Sequence, residues 1–405
     1  MFDVSIVGAG AAGLFAARYL SLKSDLSVLL LEGGHSCGRK LGLTGNGKCN
    51  IGNKDMESSF YHCEDDSFLQ FLKDSAGKDS SRYIELLDEM GIPVSSQNGL
   101  LYPLSRSASS VVSRLLENRA KLRTESKVRE IVRNKDSFLL YGDKENGKRP
   151  LLSESRYVIL AAGGASYPKT GSDGSGYKLL KKLGIDIEEP KPSLVPLVVK
   201  DFDPVLKGTR ARADLKLYLN DSLAAHSKGE VQFTSDGLSG ICVFELSGRV
   251  VRAREDKKVI VLDLLPELSL YDLEDEIRRL GGESSSDREE LKKRLITLLP
   301  ERLLDHVLNN FFKSGERSLN KLAFLIKNDS YLISESKGFE QAQTTTGGAR
   351  IYEIEKTMEA KKVPGLFITG ELLDMDGICG GYNLTQAFLT SKLACDEIIR
   401  RSGER

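Results

Sequence analysis

The chain of 405 residues has no surplus of either charge: Lys plus Arg and Asp plus Glu both total 58, and the formal net charge is zero. A dedicated nucleic-acid binder would usually show a basic excess, so composition speaks against that class. No apolar run approaches the roughly 20 residues of a membrane span, which leaves no helical membrane protein to consider. The first residues enter an apolar stretch at once, with no room for a signal peptide, and a cytoplasmic protein is expected. The six cysteines (Cys37, Cys49, Cys63, Cys242, Cys379, Cys395) contain no C-x-x-C pair. Their scatter suits neither a zinc site nor a disulfide framework, and reduced thiols are expected. The four histidines (His35, His62, His226, His306) lack ligand spacing as well, so no protein-bound metal is expected. The length exceeds one ordinary domain and points to two or three.

Glycine is what the chain has in quantity, 38 in all. The first of them organise the N-terminus, which reads DVSIVGAGAAGLFAARYLSLKSDLSVLLLE. Gly8, Gly10 and Gly13 supply G-x-G-x-x-G between an apolar strand (4–7) and a helix (11–20) that opens with Ala11 and Ala12. Gly8 permits the tight turn, Gly10 lets backbone approach a pyrophosphate, and Gly13 lets the helix pack closely on the strand. The helix N-terminus offers N–H groups and a partial positive charge to phosphates. A second apolar strand ends in Glu32, about 20 residues on, where an acid accepts hydrogen bonds from ribose hydroxyls. Strand, helix, second strand and acid fall in register, and the segment is expected to bind a dinucleotide. The motif alone does not choose between NAD and FAD.

Residues 33–53 (GGHSCGRKLGLTGNGKCNIGN) hold seven glycines and little hydrophobic periodicity. Such a loop cannot bury itself as core, so its backbone needs water or a ligand. Arg39 and Lys40 can neutralise a pyrophosphate, and residues 44–50 can lie along a cofactor. Cys49 reads as a small residue in a tight loop. The string GRKLGLTGNGKCN at 38–50, following GAGAAG, resembles the BaiN/YhiN-like family of NAD(P)/FAD-dependent oxidoreductases. The resemblance implies FAD as the dinucleotide, with Gly33, Gly38, Arg39, Lys40, Thr44, Gly45, Asn46, Gly47, Cys49 and Asn50 beside it.

Residues 57–90 carry helical spacing, and 107–118 read as an amphipathic helix. Residues 127–132 and 137–141 alternate as a hairpin does, with Val128 a candidate contact for the adenine ring. The apolar strand 157–162 ends at Ala162 and Gly163, the kind of position where an open parallel sheet places its ligand. Gly171, Gly174 and Gly176 follow in the order G-x-x-G-x-G, with no strand and terminal acid after them, so they do not form a second dinucleotide motif. NADH or NADPH, if it is the donor, then docks transiently. Three prolines (Pro190, Pro192, Pro196) mark a domain crossing. Strand-like runs fill 197–265, among them ICVFEL, and suggest a small sheet or barrel. Residues 269–328 turn helical, with Ser269 and Asp272 forming a cap, Pro300 in a first turn and the Ser284–Ser286 run in a loop. The last segment returns to the first domain. Gly370 and Glu371, with Asp374, resemble the strand-end acid that binds a ribityl chain. Gly380, Gly381, Tyr382, Asn383 and Leu384 lead into a helix (385–399) whose dipole can face the flavin's pyrimidine end.

The expected architecture is therefore α/β. A Rossmann-type FAD-binding domain (1–190 and 340–405) is formed by both chain ends and interrupted by a β-rich subdomain (191–266) and a helical insertion (267–339). The function expected is FAD-dependent oxidation or reduction of a small organic substrate. No residue stands out as the catalytic proton donor; Tyr102, Tyr382 and solvent are unranked. A flavin-containing sensor with little turnover is the second reading, and an RNA-modifying flavoenzyme the third. No nucleic-acid or membrane partner is expected.

Overall fold

A computed structural model describes residues 1–282 and 287–403, so the Ser284–Ser286 loop lies outside the described residues. The chain divides into two compact units, residues 1–191 with 344–405, and residues 192–343.

The first unit is a Rossmann-type α/β domain. Its central element is the run β1 (Phe2–Val7), α1 (Ala11–Lys23) and β2 (Val28–Leu31). β1 lies between β2 and the long strand Leu151–Leu160, parallel to both, and Leu366–Ile368 adds to the far side of that strand, also in parallel. Beyond these the antiparallel hairpin Glu130–Asn134 and Ser137–Tyr141 extends the seven-stranded sheet. Val7 is level with Leu31 and Leu160, and Leu160 with Ile368, so the parallel strands end along one line. β2 is buried along its whole length, as a strand covered on both faces must be. α1 is also buried nearly all round, which its run of alanines and glycine allows. The C-terminal helix Tyr382–Gly403 packs along it, with Phe15 stacked on Phe388 at 4.7 Å between centroids. Each such buried aromatic contributes roughly 1.5–3 kcal/mol of transfer free energy.

The second unit is a closed six-stranded barrel with helices. Leu197–Val199, Gly237–Ser239, Ser222–Phe233, Arg210–Leu219, Lys258–Asp263 and Asp329–Ser336 follow one another round it, and the last pairs with the first. Ser269 caps the helix Leu270–Arg279 by accepting from the Asp272 N–H at 3.1 Å, and Pro300 immediately precedes Glu301–Ser314.

Several expectations need correction. ICVFEL is not a strand but the start of the helix Ile241–Arg252, with Cys242, Val243, Leu246 and Val250 buried on one face. A short apolar run does not distinguish the two periods, and a packing partner decides. The helical insertion does not reach 339, because Asp329, Tyr331 and Ile333 alternate inward as a strand that closes the barrel. Residues 57–90 are not one helical region: a strand, Tyr61–Cys63, precedes Asp66–Ala76, and Gly77 at φ +80° separates that helix from Ser81–Glu89. Val128 lies just before its strand, which begins at Glu130, and the last helix begins at Tyr382 rather than at 385. Among the described residues, no helix is long and apolar enough to cross a membrane.

Within the second unit, His306 is buried between two carboxylates. Its Nδ1 lies 2.8 Å from Asp203 and its Nε2 3.3 Å from Asp329, while the Tyr331 hydroxyl donates to Asp329. These groups, with Asn310 and Lys200, border a cavity of about 470 Å³. Burial disfavours the imidazolium, but the hydrogen bonds and charges of Asp329 and Asp203 outweigh it and hold the His306 pKa above its ordinary 6.5. A raised folded pKa adds stability that is complete below the unfolded value and is lost as pH rises through the folded one. Thermal melts between about pH 6 and about pH 9 should therefore show a contribution to stability that declines with pH, and His306→Gln should flatten that decline. An unchanged slope in the variant would remove His306 as its source.

Candidate functional site

The site lies at the carboxyl ends of β1, β2 and Leu151–Leu160, where an open parallel sheet leaves a crevice. Two of the three motif glycines are required by the protein itself. Gly8 sits at φ +101°, and a Cβ there would lie 2.5 Å from the Ala161 oxygen. A Cβ at Gly13 would overlap the carbonyl oxygen of Gly8. Gly10 is different, because a Cβ there meets nothing within 4 Å. Among the described residues, no side chain caps α1, and no acid lies in its first turn. Its leading N–H groups, at Ala11, Ala12 and Gly13, therefore border an open space suited to an anion.

Glu32 stands at the lip of this space. One carboxylate oxygen accepts from the Ala9 N–H (2.9 Å) and the other from the Gly34 N–H (2.7 Å). Each oxygen keeps lone-pair capacity for a further donor. The Ser126 N–H donates to the Glu32 carbonyl, and the Lys127 side chain lies against Gly33; Val128, the next residue, is buried in the hydrophobic core. Gly38, at φ +67°, donates its N–H to the Ala9 carbonyl. The next residue, Arg39, reaches between Gly34 and Gly171, and its Nε is buried with no hydrogen-bond partner among the described residues.

Lys40 and Glu371, both expected to serve the cofactor, are committed to each other. The ammonium lies 2.8 Å from Glu371 Oε2, 3.1 Å from Oε1 and 2.7 Å from the Ser166 hydroxyl. Glu371 Oε1 also accepts from Ser166 (2.8 Å) and the Thr345 N–H (2.9 Å). Four chain segments meet in this network. Gly370, at φ +67°, presses against Ala12, its would-be Cβ 3.1 Å from the alanine methyl, which joins the strand-end segment to the first turn of α1. Ala162 and Gly163 continue from the Gly8 contact, and Asp374 is buried with its N–H on the Ala349 carbonyl.

Of the remaining expected residues, Gly45, Asn46 and Gly47 are exposed, and the others are buried or half-buried. Thr44 Oγ1 donates to the Leu41 carbonyl, and Gly45, Asn46 and Gly47 all have positive φ. Cys49 is fully buried, and burial pushes its thiol up to about 11, away from thiolate chemistry. The Asn50 amide donates to the Gly52 and Leu101 carbonyls and accepts from the Gly381 N–H at 3.3 Å. Gly381, at φ +92°, lies so close on Gly52 that a Cβ would come within 2.6 Å of its backbone, and Asn53 donates to the Gly380 carbonyl. Asn383 bonds both the N–H and the C=O of Gly377, Tyr382 is buried against Phe60 and Tyr61, and Leu384 is half-buried. Ser391 bonds the Ala12 carbonyl, Cys395 that of Ala16, and Asp396 the Tyr19 hydroxyl. The C-terminal helix and α1 thus run parallel, and both N-termini face the same edge of the sheet.

Ser166 and Thr345, which complete the Lys40–Glu371 network, are not among the residues expected from the sequence.

Three relatives align over nearly the whole chain. A 3-dehydro-bile acid delta(4,6)-reductase of Clostridium scindens is 34% identical, covering 97% of this chain and 98% of its own. Ribosomal RNA dihydrouridine synthases of Haemophilus influenzae and Escherichia coli are 29% and 28% identical, each covering 98% of both chains. The family model described as the HI0933-like protein Rossmann domain matches residues 2–397, and the chain belongs to that family.

Proposed function

We propose that this protein is an FAD-dependent oxidoreductase that saturates a carbon–carbon double bond conjugated to a carbonyl, with NADH or NADPH as a passing donor. One observation carries the cofactor assignment: the open space at Gly10, bounded by the uncapped start of α1 and by Glu32. The α1 N–H groups and Arg39 would hold the diphosphate, and Glu32 would accept from a ribose hydroxyl. Bound there, the flavin supplies the hydride chemistry, while the protein contributes position and electrostatics. The Lys40–Glu371–Ser166 network keeps the walls of the crevice fixed, which favours a preorganised site.

The reaction class follows from what the relatives' names share. The Δ4 and Δ6 bonds of a 3-dehydro bile acid and the bond lost in forming dihydrouridine are all conjugated to a carbonyl. The small-molecule reading goes with the 34% identical relative, and the near-neutral charge supports it. The two ribosomal RNA enzymes favour a second reading, reduction of uridine in RNA.

An anaerobic visible spectrum tests the assignment. Flavin absorbance that bleaches with NADPH and recovers on adding a 3-oxo-Δ4,6-steroid is the expected result. Recovery with ribosomal RNA alone would favour the second reading. Bleaching with recovery by neither would point to a flavin sensor, and a protein without flavin after reconstitution would overturn the assignment.

The glycines give a second test. Gly10→Val should fold, with a melting temperature near wild type, yet lose FAD, because its side chain enters only the open space. Gly13→Ala should lose about 3 kcal/mol or more and yield little soluble protein, because its methyl meets backbone. A Gly10→Val protein that retains full flavin occupancy would contradict the site.

A further inference from the structure

The loop of residues 164–174 follows the carboxyl end of the strand Leu151–Leu160. Its base is pinched by the Gly174 N–H on the Gly164 carbonyl at 2.9 Å. One flank, at Ser166, joins the Lys40–Glu371 network. The other flank leans on the Glu32 side of the crevice: Gly171 touches the Arg39 guanidinium, and Asp173 pairs with Lys127. The loop therefore reaches from the strand-end acid at Glu371 to the ribose acid at Glu32.

Ser172 lies on that second flank. It is only 7% exposed, and its hydroxyl has no hydrogen-bond partner among the described residues. The oxygen faces Gly163, where a Cβ would lie 3.1 Å from it and where φ is +72°. Gly163 follows directly on the Ala161–Ala162 backbone against which Gly8 turns. Buried hydroxyls nearly always have partners, because burying one unpaired is unfavourable, so an orphan calls for an explanation. A second orphan, Arg39 Nε, is found on the same side of the crevice. Both groups can donate, and Arg39 can only donate. Among the described residues, the neighbouring Asp173 carboxylate is already engaged by Lys127 and the Ser175 N–H.

We infer that Ser172 and Arg39 are a donor pair for the ribose and diphosphate oxygens of the bound dinucleotide, Ser172 through its hydroxyl and Arg39 through Nε–H. The inference rests on the dinucleotide reading above and adds Ser172 to the binding machinery. It also assigns a task to the loop: carrying a donor to the nucleotide side of the crevice while its other flank is fastened beside Glu371.

The test uses the full chain, stripped of flavin and titrated with FAD by flavin fluorescence, alongside thermal melts without FAD. Ser172→Ala should weaken FAD binding about tenfold, the size of one buried hydrogen bond to a ligand. Without FAD, the same variant should melt at or slightly above the wild-type temperature, because it removes an unsatisfied buried hydroxyl. Arg39→Met should weaken FAD binding at least as much. Wild-type FAD affinity in Ser172→Ala would overturn the inference, as would an apo melting temperature several degrees below wild type, which marks a structural hydroxyl. A wild-type chain that binds no FAD would overturn the dinucleotide reading itself, so the two failures are distinguishable.

Discussion

The seating of α1 on the turn before it is the contact on which the first unit depends. The Gly13 backbone lies where a methyl would strike the Gly8 carbonyl, and Gly8 in turn lies against Ala161. Turn, helix and the long central strand are thus fixed to one another by backbone contact, which tolerates far less adjustment than side-chain packing. From that anchor the small faces of Ala12 and Ala16 let the C-terminal helix run alongside in parallel. Gly370 fits against Ala12 and brings the strand-end acid into the crevice. An ordinary side chain at Gly370 would push apart elements that come from opposite ends of the chain.

The polar groups of the crevice separate into two classes. Lys40, Glu371, Ser166 and Thr345 satisfy each other, and Asn50 and Asn383 satisfy backbone. They hold geometry. Glu32, the α1 N–H groups, Arg39 Nε and Ser172 Oγ retain capacity beyond their internal partners. The composition of that second class, several donors with one carboxylate, is what a ligand carrying both anionic oxygens and hydroxyl groups would require.

Where the sequence could be read, local rules were enough. The β1–α1–β2 unit, its acid and the hairpin are set by spacing within about 30 residues, so their pattern survives without tertiary information. Ile241–Arg252 departs from the strand expectation because a short run such as ICVFEL, five apolar residues and one glutamate, fits either period, and only the barrel wall that its buried face covers decides. Asp329–Ser336 was missed because its partner Leu197–Val199 lies far back in the chain, beyond the helices. The pairing of Lys40 with Glu371 spans 331 positions, and neither residue's surroundings announce the other. Ser172 is the extreme case, since what marks it is burial without a partner, a property that exists only after folding.

Closure of the barrel has a consequence for how the chain is made. The second unit begins and ends at neighbouring points: Gln343 donates to the Leu194 carbonyl, and Lys337 to that of Pro196. To the first unit, an insertion of this kind acts as a short loop, so interrupting the domain adds little closure entropy. On the ribosome the order is reversed. The barrel is complete once residue 336 has emerged, while the Rossmann sheet still lacks Leu366–Ile368 and the helix that covers α1. The guest can therefore be fully folded while its host is still waiting for its final strand and helix.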